Sequence, residues 1–548
     1  MKISSIVRLL VAVGCLASCA TPFGEAPGPD GGSSGKTNGD TDSGGGVLDG
    51  EVVDPGPTFS FAQTDGLAYV RQGQTTDVPI NITRSITPGT DIKIDIIGVP
   101  NGVSVDPLTL TIPPGSSTGK FAVTVDTSTP QGELNVELQG LAEGASITVT
   151  KDLQLFVRGD PGTLDPTFES NGVYEDTVND YTSRAIVAPQ SNGTILVSAW
   201  NDTKGKGLVI RLNADGVADP TLSESDIKNI PSVLSGVAAY PDGRIVGIGM
   251  PYRTVNRYTA NGALDTTFNA TGSVDVNSSS FPKSVPNGSM YLSAVAAGEN
   301  DSIYVGGSDF VSSDSKLYAF LQIPANGQGS MSGCSGFLDN TAPSTSQSIT
   351  NLALLPTGAL AFVSTGGRIG VGRYLHPQSS CDLDPTYGNQ GIWYYADYSS
   401  LPDAVFEADG SVDLLVGKAS TSPTVYSLVH IEPDGQHAAQ VDLPLGGSYT
   451  GITRAPDTRY LVAGQFQPAA NASMDVAYYK SDLTSDTSVG NQNGIVTILV
   501  HTDLANPTGT GLRAVYTPDG ERTIVVGSIS GTTAGPYVQH FVVARIWN

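Results

Sequence analysis

One segment recurs along the last two-thirds of this 548-residue chain and constrains its fold more than any other feature. "GTLDPTFESNGV" begins at Gly162, "GALDTTFNATGSV" at Gly262 and "CDLDPTYGNQGI" at Cys381. Weaker copies start at Gly216 ("GVADPTLSES") and Gly336 ("GFLDNTAPS"), and traces remain in "SDTSVGNQNGI" and "GQHAAQVDL". Between them runs a second marker, a turn followed by an apolar strand: "SNGTILVSA", "PDGRIVGIG", "ENDSIYVGG", "PTGALAFVS", "ADGSVDLLVG", "PDTRYLVAG" and "PDGERTIVVG". In that turn Pro presets φ, Asp or Asn bonds its own backbone, and Gly takes φ > 0. A third marker is a strand ending in a basic residue or its equivalent: "LVIRLNADG", "TVNRYTANG", "IGVGRYLHP" and "FVVARIWN". Self-similarity at this spacing means stacked supersecondary units.

Each unit reads as a G-x-V strand, a second strand, a Pro-Asp-Gly turn, a third strand, a variable loop and a fourth strand, an antiparallel meander of about 45 to 70 residues. One such sheet cannot bury both of its faces. Seven of them over residues 162–548, stacked radially, bury each face on a neighbour and form a β-propeller. A linear array or two smaller barrels is the alternative arrangement of the same units. In the radial arrangement the LDPTF segments are expected as crossovers between blades, and the Pro-Asp-Gly turns as links between strands two and three. Both then gather on one face. The other face carries the irregular loops "NDTKGKG", "SSSFPKSVPNGSM", "DFVSSDSK", "KASTSPT", "QPAANAS" and "SISGTTAGPY", and is expected to hold any ligand specificity. The first strands are expected to bring Glu175, Asp176, Asp275, Asp397 and Asp503 near the axis, as solvated channel carboxylates; a site for a cation or a sugar is the alternative.

The motif wording resembles the delta-60 repeat family of bacterial surface proteins. The resemblance covers residues 162–548 and rests on Leu164-Asp165-Pro166-Thr167-Phe168, Leu264-Asp265-Thr266-Thr267-Phe268 and Leu383-Asp384-Pro385-Thr386-Tyr387, fading in the last two units. It implies no catalytic residues. It implies a structural motif in which Asp caps the turn, Pro stiffens it and the aromatic packs between blades.

Residues 57–158 alternate with period two. Val78, Ile80 and Ile82 share one face, as do Ile92, Ile94 and Ile96, then Phe121, Val123 and Val125, then Leu134, Val136 and Leu138. Short alternating runs between "TPGT", "VPNG" and "PPGSS" predict about seven antiparallel strands in a two-sheet, immunoglobulin-like β-sandwich. The segment has no Cys and no Trp, which excludes the version of that fold built on a disulfide and a tryptophan. A spacer or adhesion module is expected. The fold class is therefore all-β, a sandwich followed by a seven-bladed propeller.

The amino terminus is of another kind. Lys2 and Arg8 precede an apolar run, Leu9 to Leu16, that is too short to span a bilayer. Leu16, Ala17, Ser18 and Cys19 follow in the order of a lipobox, and residues 1–18 resemble a bacterial lipoprotein signal peptide. The resemblance implies cleavage before Cys19, acylation of Cys19, and a membrane partner reached through the lipid. The alternative is an ordinary signal peptide with an incidental Cys. Ala20, rather than Asp, follows the Cys, which points to the outer membrane. Residues 19–56, rich in Gly, Asp and Ser, cannot bury a core and read as a tether reaching about 30 to 36 Å.

The chemistry read from the rest is sparse. With 28 Lys plus Arg against 53 Asp plus Glu, the net charge of -25 repels phosphate backbones and excludes nucleic acid as an expected partner. "GGSSG" at 31–35 fits a hydrolase nucleophile pattern but lacks the strand and helix it needs. The five histidines make no zinc spacing. "GRIGVG" lies in a strand rather than at a helix start. Asp40 and Asp42 hint at calcium without the remaining ligands, so no cofactor is identified. Cys334 and Cys381, both placed in crossovers flanking one blade, are the expected disulfide in an exported chain, worth up to about 4 kcal/mol; two free thiols are the alternative. These features predict an envelope protein presenting a propeller to a polysaccharide or protein partner. A carbohydrate-active propeller enzyme and a purely structural envelope component are the other readings.

Overall fold

The computed structural model describes residues 59–548 except 63–67, 85–89, 145–147, 170, 177–181, 190–194, 202–205, 214–233, 241, 250–252, 277–288, 313–314, 329–330, 337–347, 367, 376, 378–381, 396–397, 399, 419–423, 445–446, 456, 467–472, 491–492, 501–503, 518–519 and 533–536. The described chain is all-β; among the described residues the only helical element is a 3-10 turn, Glu299–Asp301. It divides into two compact units, one ending at Arg158 and the other beginning at Gly159.

The first unit has nine strands: β1 Phe59–Phe61, β2 Ala68–Arg71, β3 Thr75–Arg84, β4 Ile92–Ile97, β5 Val103–Asp106, β6 Thr109–Ile112, β7 Thr118–Val125, β8 Gly132–Ala142 and β9 Thr148–Arg158. They form two sheets, ordered β1-β3-β7-β5 and β2-β9-β8-β4-β6. The period-two pattern explains the layering. Val78, Ile80, Ile82, Phe121, Val123 and Val125 from one sheet meet Ile92, Ile94, Val136, Leu138, Leu155 and Val157 from the other in one core. Each such side chain contributes about 1.5–3 kcal/mol on burial. Short segments such as β1, β2, β5 and β6, of three or four residues, carry too little alternation to be counted from sequence and raise seven expected strands to nine.

The second unit is a β-propeller of antiparallel sheets, numbered here by their first strands. Sheet 1 is β11 Thr182–Pro189, β12 Ile195–Asn201 and β13 Lys206–Leu212. Sheet 2 is β14 Leu234–Ala239, β15 Ile245–Gly249, β16 Thr254–Tyr258 and β17 Ser273–Asp275. Sheet 3 is β18 Ser289–Ala297, β19 Ile303–Ser312, β20 Ser315–Ile323 and β21 Ser332–Gly336. Sheet 4 is β22 Ser348–Leu354, β23 Leu360–Thr365, β24 Ile369–Tyr374 and β25 Ile392–Tyr395. Sheet 5 is β26 Ser400–Phe406, β27 Val412–Gly417, β28 Tyr426–Ile431 and β29 His437–Asp442. Sheet 6 is β30 Ser448–Arg454, β31 Tyr460–Gln465, β32 Ser473–Tyr479 and β33 Ile495–Leu499. Sheet 7 is β34 Ala505–Tyr516, β35 Arg522–Thr532 and β36 Tyr537–Trp547, completed by β10 Val173–Asp176 from the start of the unit.

First strands pack on first strands: β11 on β14, β14 on β18, β18 on β22, β26 on β30, β30 on β34 and β34 on β11. They are the inner strands, and fourth strands lie at the periphery. The middle strands are mostly apolar and buried on both faces, like "IVGIG" of β15 and, Asp413 apart, "VDLLVG" of β27, because each sheet is covered by two neighbours.

This register corrects the expected connections. The Pro-Asp-Gly turns join strands one and two, as Tyr240 to Arg244 does between β14 and β15. The LDPTF segments join strands three and four, as Leu264 to Phe268 does between β16 and β17. The sequence repeat is therefore offset by one strand from the sheet: its G-x-V strand is the fourth strand of the preceding sheet. The reason is local. The motif Asp is held by the strand that immediately precedes it, so the chain turns back at once as a hairpin instead of crossing to a new sheet. One- to two-strand and three- to four-strand links leave the same edge, so the recurring markers still share one face. The two- to three-strand links and the true crossovers, which include all six irregular loops, share the other.

The offset also moves the carboxylates expected at the axis. Glu175 and Asp176 lie on β10 and Asp275 on β17, all peripheral fourth strands. Glu175 is bonded by His540 Nδ1 at 2.7 Å, and Asp275 is 3.4 Å from Arg253. Asp397 and Asp503 fall outside the described residues. Cys334 is likewise not in a crossover; it lies in β21, opposite Phe320. Cys381 and Cys19 lie outside the described residues.

The hairpins depend on glycine. Gly272 has φ +78°, and a Cβ there would sit 2.8 Å from Leu264 Cβ. Gly272→Ala is expected to destabilise the chain by about 1–3 kcal/mol through backbone strain and that clash. Chemical denaturation checks this, with Gly520→Ala (φ +73°, nothing within 4 Å) as the case that suffers strain alone.

Candidate functional site

The recurring motif builds the same clamp three times, in sheets 2, 4 and 7, and a reduced form of it in sheet 6. In sheet 2, Asp265 Oδ1 accepts the Thr267 backbone N–H at 3.0 Å and its hydroxyl at 2.5 Å, an Asx turn. Its Oδ2 accepts Arg257 Nε at 2.7 Å. The same guanidinium lies over the Phe268 ring at 4.9 Å and donates to Ala325 O of sheet 3 at 2.6 Å. In sheet 4, Asp384 holds Thr386, Arg373 donates to it from Nε at 2.8 Å, and Arg373 lies 5.1 Å over Tyr387 and reaches Pro433 O of sheet 5. In sheet 7, Asp165 holds Thr167, with Arg545 Nε 2.8 Å away, Arg522 Nε donating at 2.9 Å and Arg545 5.0 Å over Phe168. In sheet 6 the trace "SDTSVG" is a working copy: Asp486 holds Ser488 and takes Arg459 at 3.4 Å. Phe168, Phe268 and Tyr387 are buried, Leu264 is exposed, and Pro166 and Pro385 sit outside on the turns. Burial works against the charge on Asp265 and Asp384, but the Thr and Arg hydrogen bonds outweigh it and hold both carboxyls below the usual range. These bonds tie the motif carboxylates to Thr or Ser and Arg, so the clamp fastens hairpins and neighbouring sheets.

Sheet 5 departs from this plan. His430 takes the third-strand place that Arg257, Arg373 and Arg545 hold elsewhere, and no motif Asp follows it. Opposite it in register stands Asp413 of β27. His430 Nδ1 is 2.6 Å from Asp413 Oδ1, and Tyr460 of sheet 6 donates to the same oxygen at 3.1 Å. Arg454 Nη1 is 3.8 Å from Oδ2. The Asp413 hydrogen bond raises the His430 pKa, and burial, aided by Asp413, pushes Glu407 up to about 7. A buried His–Asp pair thus replaces the Arg–Asp clamp, which explains the swap of both residues together.

Near the axis every first strand carries a register shift. Bulge hydroxyls join neighbours: Ser293 donates to Ile349 O and Thr450 to Gly511 O, each at 2.6 Å. The equivalent link between sheets 5 and 6 is Asp403, which accepts the Ile452 N–H at 3.0 Å and lies 3.2 Å from Arg513 of sheet 7. Burial pushes Asp403 up to about 6, against the pull of Arg513. Among the described residues no cluster of three or more His, Cys, Asp or Glu is placed to hold a metal ion.

A contact of a different character joins sheets 4 and 5. Trp393 and Tyr395, two apart on β25, point to one side, with ring centroids 5.8 Å apart and planes within 17°. Both are half-buried against a core that includes Leu401, Ala404 and Val416 of sheet 5. Gln440 of β29 donates to the Tyr395 hydroxyl at 3.3 Å. Two residues on, Asp442 accepts Lys418 Nζ at 2.6 Å and the Ser427 hydroxyl at 2.7 Å; the lysine, the serine and Gln440 hold its carboxyl below the usual range. On the opposite side of β25, Arg368 lies over Tyr394 at 4.4 Å.

A family model described as a β-propeller domain of unknown function, DUF5122, matches residues 190–222, the stretch that holds β12 and β13. No curated protein matches the chain. Among solved structures, the chain is similar to the six-bladed β-propeller lectin of Aleuria aurantia at 12% identity and a TM-score of 0.34, over 55% of this chain and 94% of that one. It is also similar to a family 117 glycoside hydrolase of Zobellia galactanivorans at 9% identity and a TM-score of 0.23, over 46% and 82%.

Sequence reasoning found the clamps' Asp and aromatic members and missed their arginines as partners, although "a strand ending in a basic residue" was the visible sign. It missed the aromatic pair of β25 altogether. The sign there was "IWYYADY" at 392–398, four aromatics in seven residues at a position where other repeats carry none or one.

Proposed function

We propose that this chain is an exported, lipid-anchored bacterial envelope protein whose head presents one face of a propeller to a polysaccharide or protein partner. Residues 1–18 are the lipoprotein signal peptide, Cys19 the acylated residue and 19–56 the tether. Residues 57–158 are an immunoglobulin-like stalk, and 162–548 a seven-bladed head. Cys334 and Cys381 pair within it. The stalk reading is supported by sheet order: β1-β3-β7-β5 runs like the A-B-E-D sheet of that fold, and β9-β8-β4 like its G-F-C sheet.

The observation that carries the binding reading is the division of connections. The repeated Asp clamps lie at one edge of the sheets, while the six unlike loops connect strand ends at the other. A scaffold with uniform fastening on one face and diversified loops on the opposite one is how rigid folds carry recognition. Capture of glycans and proteins by residues 57–548 tests this: a partner lost when the irregular loops are exchanged supports it, and a partner kept through that exchange overturns it.

The anchor has its own test. The mature chain is expected to begin at Cys19 with acyl mass on it, and Cys19→Ala to release the chain from the membrane fraction. An unmodified mature chain starting elsewhere, read by intact mass, refutes the anchor.

A further inference from the structure

We propose that the seam between sheets 5 and 6 is a proton-operated joint, fastened while His430 and Glu407 carry protons and loosened once both have lost them. The two sheets pack through their inner strands, β26 on β30. In sheets 2 and 4 the third-strand arginine ties its own sheet to the next, Arg257 to Ala325 O and Arg373 to Pro433 O. A guanidinium in a protein does not lose its proton. His430 stands in that arginine's place, and an imidazole changes charge near neutrality. The substitution replaces a permanent fastening by one that follows pH.

The geometry makes this imidazole the nearest counter-charge to a buried carboxylate. Asp413 Oδ1 is 2.6 Å from His430 Nδ1 and accepts the hydroxyl of Tyr460, from sheet 6, at 3.1 Å. Asp413 Oδ2 has no hydrogen bond among the described residues and lies 3.8 Å from Arg454 Nη1. Arg454, at the end of β30, lies over the Tyr460 ring at 5.4 Å, so the cation of sheet 6 faces the carboxylate without closing on it. The other charged groups that face the cluster are acidic. Glu407 and Asp409 come from the turn between β26 and β27. Glu432 follows β28, with Oε2 3.9 Å from His430 Nε2. Burial raises the Tyr460 hydroxyl far above its usual range, so it stays a donor throughout.

Two protons therefore set the balance. With both bound, His430 and Arg454 face the carboxylates of Asp413, Asp409 and Glu432. With both gone, Arg454 alone faces those carboxylates and that of Glu407. The Asp413 hydrogen bond raises His430, and burial, aided by Asp413, lifts Glu407 to about 7, so both protons leave as pH rises past neutrality. Folded values above unfolded ones mean that the fastening is complete below the unfolded values and is lost as pH climbs through the folded ones. The like charges then lie against a seam held by Tyr460 and Asp413, and parting of the sheets, which admits water, relieves them.

One hydrogen bond repeated in four turns supplies the test: Tyr240 N–H to Arg244 O, Leu355 N–H to Ala359 O, Glu407 N–H to Ser411 O and Ala455 N–H to Arg459 O. The last two border the joint, and the first two are controls beside arginine clamps. Hydrogen–deuterium exchange of the full chain is followed at about pH 6 and about pH 8.5, corrected for the intrinsic pH dependence of exchange. Relative to the controls, exchange in the Glu407 and Ala455 turns is expected to rise about 10-fold or more, the factor that a carboxyl lifted from 4.5 to about 7 loses over that interval. His430→Gln is neutral at both pH values. It is expected to exchange about 3-fold or more faster than the wild type in these two turns at the lower pH and to match it at the higher. Glu407→Gln is expected to do the reverse, matching the wild type at the lower pH and exchanging about 3-fold or more slower at the higher; it decides the matter if His430→Gln misfolds by thermal melting. A rise shared equally by all four turns overturns the joint, because loss of global stability alone gives that result. A variant that differs from the wild type by the same factor at both pH values, or at neither, overturns it too.

Discussion

Replacing Asp165 by Ala is expected to destabilise the chain by about 3–5 kcal/mol, the range for removing one partner of a buried ion pair. Asp165 is fully buried and is the point where the unit's first segment joins its last. It takes Arg522 at 2.9 Å and Arg545 at 2.8 Å, while its backbone N–H donates to Arg545 O. Four residues of β10 then pair with β36, from Val173 opposite Ala544 to Asp176 opposite Phe541. Ala removes the Asx turn and leaves two guanidiniums buried together. Asp265→Ala breaks the same clamp in sheet 2 but strands one arginine and no junction of distant segments, so its loss is expected to be smaller. Urea denaturation of the two variants measures the difference, and limited proteolysis is expected to cut the Asp165→Ala chain ahead of β10. Equal losses, or a loss under about 1 kcal/mol for Asp165→Ala, show that this junction does not hold the sheet closed.

The second large effect is the dependence of stability on pH. Asp265, Asp384 and Asp486 have carboxyls held below the usual range, against burial, by Thr or Ser and Arg hydrogen bonds. Their folded values lie below their unfolded ones, so their contribution is present above about pH 4 and is lost as pH falls through the folded values. Three groups work in the other direction. Burial lifts Asp403 from 3.8 to about 6 and Glu407 from 4.5 to about 7, and the Asp413 hydrogen bond raises His430 above 6.5. Raised folded values favour the protonated forms. Their contribution is complete below the unfolded values and disappears as pH rises through the folded ones. Asp403 and Glu407 each account for about 3 kcal/mol at most between pH 4 and 8. Stability is therefore expected to peak near pH 4–5 and to decline toward pH 8. Glu407→Gln removes one of these groups without a buried partner being left behind, and is expected to flatten the decline, gaining about 1–3 kcal/mol over the wild type at pH 8 and almost nothing at pH 4. Parallel curves for the two proteins sink the assignment.

Much of the architecture was legible because short strands with period-two or fully apolar patterns, punctuated by Pro-Asp-Gly turns, have one compact solution. The strand connections were misread for a specific reason. Repeats are circular words: a sequence unit and a sheet can share all four strands and differ in where the chain enters. Only the pairing of Arg257 with Asp265 and of Arg373 with Asp384 reveals that the motif closes a hairpin. The axis carboxylates fell with that choice, since Glu175 and Asp275 belong to the strands the offset sends outward. The His430–Asp413 pair was hidden because its members are 17 residues apart and replace different residues of the plan. The Tyr395–Gln440 contact was hidden because its members belong to different sheets, and nothing in either segment names the other.

The pairing of Val173 with Ala544 has a consequence for biogenesis. While the polypeptide is being made, six of the sheets can assemble from neighbouring segments as they emerge, but the seventh waits with a strand-wide gap until β36 exists. Until β36, Tyr537–Trp547, has been made, the edge left by β10 is unmatched, and a chain stalled before it is an unclosed arc with sticky ends. Pairing of β10 with β36 is thus a checkpoint on synthesis of β36, and chaperones that shelter open β-edges should be found on the polypeptide before that strand is made and absent after it has paired.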